Sequence, residues 1–170
     1  DKKIFITAIN EQQFEYPKAI SETLEGIKSI TPESNIIWKS YLDNLKWIQS
    51  LGHKIIVIGT IPRPQLKSKM WLLSNKKYIE DLSFPNIKNN SKPSIIIKND
   101  KEFYSALKSE NIKIIYPTFD LCDLINDTCF DVMNKVGPIY NGGRHLSYYG
   151  SLLIANRIKN LIIENKWNEM

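Results

Sequence analysis

The sequence lacks long apolar runs, and no stretch approaches the roughly 20 apolar residues that a membrane-spanning helix needs. It also lacks a recognisable signal peptide, and it begins with Asp1 rather than methionine. Of its 170 residues, 42% are hydrophobic and 24% are charged, as in ordinary globular proteins. This length predicts a single domain over residues 1–170.

Other absences narrow the functional classes. Two cysteines and two histidines without clustering argue against a zinc site. No glycine-rich phosphate loop follows a predicted strand, and no acidic cluster suits Mg²⁺. The net charge is +5, but the lysines are scattered and do not form the basic stripe of a nucleic-acid-binding protein. We therefore expect no metal, no cofactor and no nucleic-acid partner, whereas an anionic glycan or a membrane surface suits the mildly basic surface.

Apolar runs alternate with helical periodicity along the chain. Continuous apolar runs of strand length lie at 3–9, 54–59 and 112–117. The segment 93–100 is either a further short strand or an apolar loop, and 86–94 has the composition of a solvated linker. Helices are predicted at 17–29, 31–52, 101–110 and 147–166.

Uninterrupted apolar strands separated by helices are typical of a parallel sheet with helices on both faces. Such sheets place their chemistry at the carboxyl ends of the strands. The segments "GTIPRP" (59–64) and "PTFDLC" (117–122) follow two of the predicted strands, and we expect the loop that carries His145 to reach the same edge.

The stretch "IYNGGRHLSYYG" (139–150) holds one of the two histidines at the start of the last predicted helix. His145 is either an ordinary helix-entry residue or a catalytic base at the edge of the sheet. Asn10 either ends the first strand or donates to an oxyanion. Arg63 and Arg144 are either solvated charges or contacts to a glycan or anionic substrate.

Cys122 and Cys129 stand seven positions apart in "LCDLINDTC". They are either two buried thiols of a cytosolic protein or a disulfide that closes a small loop in an oxidising compartment. The polar, turn-like residues between them are compatible with a local bridge.

The segment "FDLCDLINDTCFDVMNKVGPIYNGGRHLSYYGSLLIANRI" resembles the end of the SGNH domains that are fused to membrane acyltransferases. In those domains a cysteine pair precedes a Tyr-Asp-x-x-His-Leu-Ser-x-x-Gly stretch that opens the last helix. The segment "LDNLKWIQSLGHKIIVIGTIPRP" is similar to the helix, glycine, strand and proline-containing loop of the same family. The resemblance covers about residues 36–162.

This resemblance implies an α/β fold with a flavodoxin-like (SGNH-type) parallel sheet, and transfer of an acetyl or other acyl group to a bacterial surface polysaccharide. The acyl group would come from a membrane acyltransferase domain in the same or a partner chain. The location would be periplasmic, either free or tethered to the inner membrane. His145 would be the base, and a disulfide between Cys122 and Cys129 would suit that compartment.

The sequence departs from the family pattern at two functional positions. Gly142 occupies the position of the aspartate that orients the histidine, and no Gly-Asp-Ser nucleophile motif occurs in the chain. We interpret 3–9 as a later strand of the family's sheet, so the fold would lack its first strand and the chain would be the C-terminal portion of a larger domain. The chain alone is then expected to be inactive. The alternative is a non-catalytic α/β module, either a glycan-binding domain or a remnant.

Overall fold

The computed structural model describes residues 2–8, 36–65, 83–107, 111–141 and 145–169. The strands are β1 (Ile4–Ala8), β2 (Lys54–Ile58), β3 (Ile87–Asn89), β4 (Ile112–Ile115), β5 (Cys122–Asp123), β6 (Thr128–Met133) and β7 (Gly137–Pro138). The α-helices are α1 (Ile36–Ser50), α2 (Pro93–Phe103), α3 (Thr118–Leu121) and α4 (Tyr148–Glu164), with 3₁₀ turns at Ser105–Leu107 and Trp167–Glu169. None of the helices described here is long and apolar enough to cross a membrane.

A parallel sheet with the strand order β1-β2-β4 forms the centre of the fold. Ile4 pairs with Lys54 at the start of the β1–β2 ladder, and Ile55 pairs with Ile112 at the start of the β2–β4 ladder. The three predicted strands are therefore confirmed, as is their parallel arrangement. Ile55, Ile56 and Val57 of the central strand are fully buried because helices cover both faces of the sheet.

Each face of the sheet has its own apolar cluster. On one face, Ile55 and Val57 pack with Leu45 of α1 and with Leu107. On the other face, Ile56 and Ile115 pack with Trp167, and the apolar side of α4 adds Ile158, Leu161 and Ile162. The helix predicted at the end of the chain is confirmed, and its amphipathic spacing explains why it lies on this face.

A second, antiparallel sheet was not predicted from the sequence. It has the order β3-β6-β5, with β7 also paired to β6. Residues 86–94, interpreted as a solvated linker, contribute β3 to this sheet, and Asn89 is only 2% exposed. The segment 93–100, interpreted as a strand or loop, instead belongs to α2, because Pro93 is well suited to a first helical position.

The structure joins Cys122 to Cys129 in a disulfide. The two residues face each other across the β5–β6 ladder, and Cys129 is completely buried. The bridge therefore closes the turn between these two strands.

Removing this bridge is expected to destabilise the fold. The sequence separation of 7 corresponds to about 2.5 kcal/mol of loop-closure entropy in the unfolded chain. A Cys122→Ala/Cys129→Ala variant should therefore unfold at a lower urea concentration than the oxidised wild type, and dithiothreitol should shift the wild type toward the variant. Equal midpoints for oxidised and reduced wild type would contradict the expectation.

Candidate active site

The loop that follows β2 begins beside a buried carboxylate. Asp100, on α2, is 2% exposed. Its carboxylate accepts hydrogen bonds from the Thr60 backbone N–H at 3.0 Å and from the Thr60 hydroxyl at 2.6 Å. A side chain at Gly59 would place its Cβ 2.6 Å from Asp100 Oδ2, so only glycine permits this approach. Together with burial, the Asp100 charge also raises the pKa of Tyr116, the residue that follows β4.

Lowering the pH is expected to stabilise the wild type relative to an Asp100→Asn variant. Burial raises the pKa of Asp100, and the hydrogen bonds from Thr60 offset only part of that rise. A folded-state pKa above the unfolded value of about 3.9 means that the folded chain binds the proton more tightly. The difference in unfolding free energy, wild type minus variant, should thus grow as the pH falls from neutral to about 4. Urea unfolding across this range measures it, and a constant difference would contradict the expectation.

The far end of the same loop meets a second buried carboxylate. Asp131, on β6, is 1% exposed. Its two oxygens accept the Gln65 backbone N–H at 3.0 and 3.3 Å, and Oδ1 also accepts the Asn89 side-chain amide at 2.8 Å. Between the two ends, the Ser91 hydroxyl donates to the Arg63 carbonyl at 3.0 Å. The loop is therefore held at both ends and in the middle.

His145 lies in a loop whose base is closed by a β-bridge between Tyr140 and Leu146. The His145 carbonyl accepts the Asn141 N–H at 2.9 Å, and the His145 side chain is exposed. Among the residues that the structure describes, none hydrogen-bonds to its ring. The ring therefore lies outside the apolar core. Whether His145 is a catalytic base or an ordinary helix-entry residue stays a prediction.

The Ser-x-x-Gly part of the motif fixes this loop to the helix. Ser147 caps α4 by accepting the Gly150 N–H at 3.1 Å, and its hydroxyl donates to the Pro138 carbonyl. Its own N–H donates to the Ile139 carbonyl at 2.8 Å. Gly150 lies directly against the Ile139 carbonyl, where a Cβ would overlap the oxygen. Ser147 is thus a structural cap whose hydroxyl proton is already donated to a carbonyl, which leaves it unsuited to nucleophilic attack.

An apolar cluster brings the two loops into one neighbourhood. Ile61, from the loop after β2, and Leu146, the residue after His145, both pack on the core formed by Leu121, Ile139, Tyr140 and Ile154. The histidine loop and the loop at the carboxyl end of β2 therefore pack on one apolar cluster. An exposed imidazole at this position can accept a proton from a hydroxyl group that is brought next to it.

The structure describes some of the site residues predicted from the sequence and not others. His145 and Arg63 are both exposed, and they lie on the two loops just described. Asn10 and Arg144, and also Gly142, lie outside the described residues, so their placement stays a prediction. Asp100 and Asp131 were missed. For Asp131 the sequence does hold a signal. Cys129 and Asp131 are two positions apart on one strand, so their side chains point to the same face, and a buried Cys129 predicts a buried Asp131.

The family model of the SGNH domain (fused to AT3 domains) matches residues 2–160. This chain belongs to the SGNH domain family. Neither the curated proteins nor the solved structures include a significant match to it. The match includes the His-Leu-Ser-x-x-Gly stretch. The occurrence of these SGNH domains in AT3 fusions points to acyl transfer or ester chemistry and to a membrane acyltransferase domain as the associated module.

Proposed function

We propose that this SGNH domain transfers an acyl group, such as acetyl, to a hydroxyl of a bacterial surface polysaccharide, or hydrolyses such an ester. A membrane acyltransferase domain in the same or a partner chain supplies the acyl group. The domain works in the periplasm, where the Cys122–Cys129 disulfide is stable. The observation that carries the proposal is the family match together with an exposed His145, whose neighbour Leu146 packs on the same apolar cluster as Ile61 of the loop after β2.

In the proposed reaction His145 acts as the general base. The imidazole removes the proton from a serine hydroxyl while the serine oxygen attacks the acyl carbonyl. The ester bond of the donor breaks, and the imidazolium returns the proton to the leaving oxygen. The polysaccharide hydroxyl then attacks the acyl-serine in the same way, and the acyl group leaves on the glycan.

The proposed reaction takes its serine nucleophile from outside these 170 residues. The sequence has no Gly-Asp-Ser motif, and the hydroxyl of Ser147, next to the histidine loop, already donates to Pro138 and accepts from Gly150. The chain by itself is therefore expected to release p-nitrophenol from p-nitrophenyl acetate no faster than buffer does.

A second candidate function is a non-catalytic module that keeps the fold and binds glycan. It is favoured by Gly142, which stands where the family has its orienting aspartate, and by the lack of a hydrogen bond to the His145 ring from any described residue. Without an orienting group the imidazole loses its tautomer and position, which lowers a base's efficiency by orders of magnitude.

The experiment that tests the proposal is deletion and complementation in the organism that encodes the protein. If the domain transfers acyl groups, we expect deletion to remove ester-linked acyl groups from the surface polysaccharide, and if it hydrolyses them we expect deletion to raise their number. Proton NMR of the purified polymer before and after mild alkali measures the change, and complementation with the full protein should restore the wild-type level. Unchanged acylation after deletion would contradict the enzymatic proposal and favour the binding module.

A further inference from the structure

The loop after β2 is unusual because a buried carboxylate holds each of its ends. Asp100 holds Thr60 through two hydrogen bonds, and Asp131 holds Gln65 through its backbone N–H. Pro62, between these ends, is fully buried. The two carboxylates come from different parts of the fold, since Asp100 lies on α2 and Asp131 on β6 of the antiparallel sheet.

Burying carboxylates is costly, so the arrangement needs a reason other than stability. A buried charge is tolerated where hydrogen bonds satisfy its oxygens, and apolar replacements of similar size often make a protein more stable. The Asp100 carboxylate has no cationic partner among the described residues, and the two hydrogen bonds that it accepts there both come from Thr60. The hydrogen bonds from the loop therefore offset the cost of burying the carboxylate, and the carboxylate in turn holds the loop in place.

The fixed position matters because of what the loop borders. Ile61 packs on the same cluster as Leu146 and Tyr140, the two residues that close the His145 loop. A shift of the segment between Thr60 and Gln65 would alter the surface next to the histidine. A catalytic group needs its surroundings held to a fraction of an ångström, which is the usual role of supporting hydrogen bonds.

We infer that Asp100 and Asp131 are positioning residues that clamp Thr60–Gln65 as a preformed wall of the His145 site. The clamp orients the substrate and takes no proton from it. Its role in acyl transfer rests on the proposed function, whereas its effect on the loop does not.

Two measurements on the Asp100→Asn and Asp131→Asn variants test this inference. In Asp131→Asn an amide –NH₂ replaces an oxygen that accepts an N–H. In Asp100→Asn the neutral amide oxygen that remains accepts the Thr60 N–H more weakly than the carboxylate does. Native-state hydrogen exchange should show at least about tenfold faster exchange of the Thr60 amide in the first variant and of the Gln65 amide in the second, while the β2 amides keep their relative protection. In cells that produce the full protein, acyl groups on the polysaccharide should fall by about tenfold or more with either variant at equal protein level.

An Ile55→Val variant is the matched control, because it trims a buried residue of the sheet far from the loop. It should raise exchange uniformly and leave acylation unchanged. Unchanged exchange of Thr60 and Gln65 in the aspartate variants would overturn the clamp. Faster exchange with full acylation would overturn the positioning role while leaving the proposed function intact. If the wild type itself does not acylate, the proposed function fails, and the exchange result still decides the clamp.

Discussion

Replacing His145 by alanine in the full protein is expected to lower acylation of the surface polysaccharide by about 100-fold or more. A general base in this type of chemistry contributes about 10²–10⁴-fold to the rate. His145 is exposed, and no hydrogen bond to its ring from a described residue contributes to the fold. The variant should therefore fold as the wild type does, and urea unfolding of the 170-residue chain should give the same midpoint.

His53 provides the matched control for this loss of activity. It is the second of the two histidines, it lies just before β2 and so at the opposite edge of the sheet, and its Nδ1 accepts the Lys3 N–H at 3.2 Å. His53→Ala should leave acylation intact even if it costs some stability. Full acylation in cells that carry His145→Ala would remove this residue from the mechanism.

Gly150→Ala is expected to destabilise the fold by about 3 kcal/mol, at the upper end of the range for overpacking. The new methyl group would overlap the Ile139 carbonyl oxygen, and this oxygen is held in place because it also accepts the Ser147 N–H. The start of α4 would have to move away from β7, and the His145 loop would move with it. Chemical denaturation measures the loss.

Ser151→Ala is the control for helix propensity, because it adds no atoms and lies at the next, exposed position of the same helix. It should change stability by no more than about 0.5 kcal/mol. A Gly150→Ala variant that is as stable as this control would show that helix and strand separate easily here, contrary to the close contact described.

The parallel sheet could be predicted because its strands carry their own signal. The central run is buried on both faces at Ile55, Ile56 and Val57, and a run of that kind has few other places in a folded chain. The first run pairs with it in parallel although Phe5 and Ile6 are exposed. The last helix could be predicted from its spacing and from Ser147 as its cap, since both depend only on neighbouring residues.

The antiparallel sheet could not be predicted in the same way. β5 and β7 have two residues each and β3 has three, which is too short for an alternating pattern to emerge. The isoleucines of "PSIIIKND" have high strand propensity, yet they lie in α2, because packing and the start at Pro93 outweigh that weak preference.

The candidate site likewise has one part that local sequence predicts and one part that depends on long-range contacts. His145 could be proposed from the sequence because its motif is local. The clamp could not, since Asp100 lies 40 residues from Thr60 and Asp131 lies 66 residues from Gln65 in the chain. The alternation in "CFDV" can indicate that Asp131 is buried, but nothing local to it or to "IKND" identifies the distant backbone N–H that each carboxylate binds. Only the tertiary fold brings the partners together.

The contacts around the histidine loop join residues that are close in the sequence, whereas those of the parallel sheet join residues that are far apart. We expect this difference in sequence separation to set the order in which the two regions fold. Cys122 pairs with Cys129, and Ser147 bonds to Ile139, so this region assembles from neighbouring segments. The sheet instead pairs Ile4 with Lys54 and requires a large loop to close first. Pulsed hydrogen exchange during refolding should therefore protect the amides of β6 and of the start of α4 before those of β1. The histidine loop would then be formed before the parallel sheet.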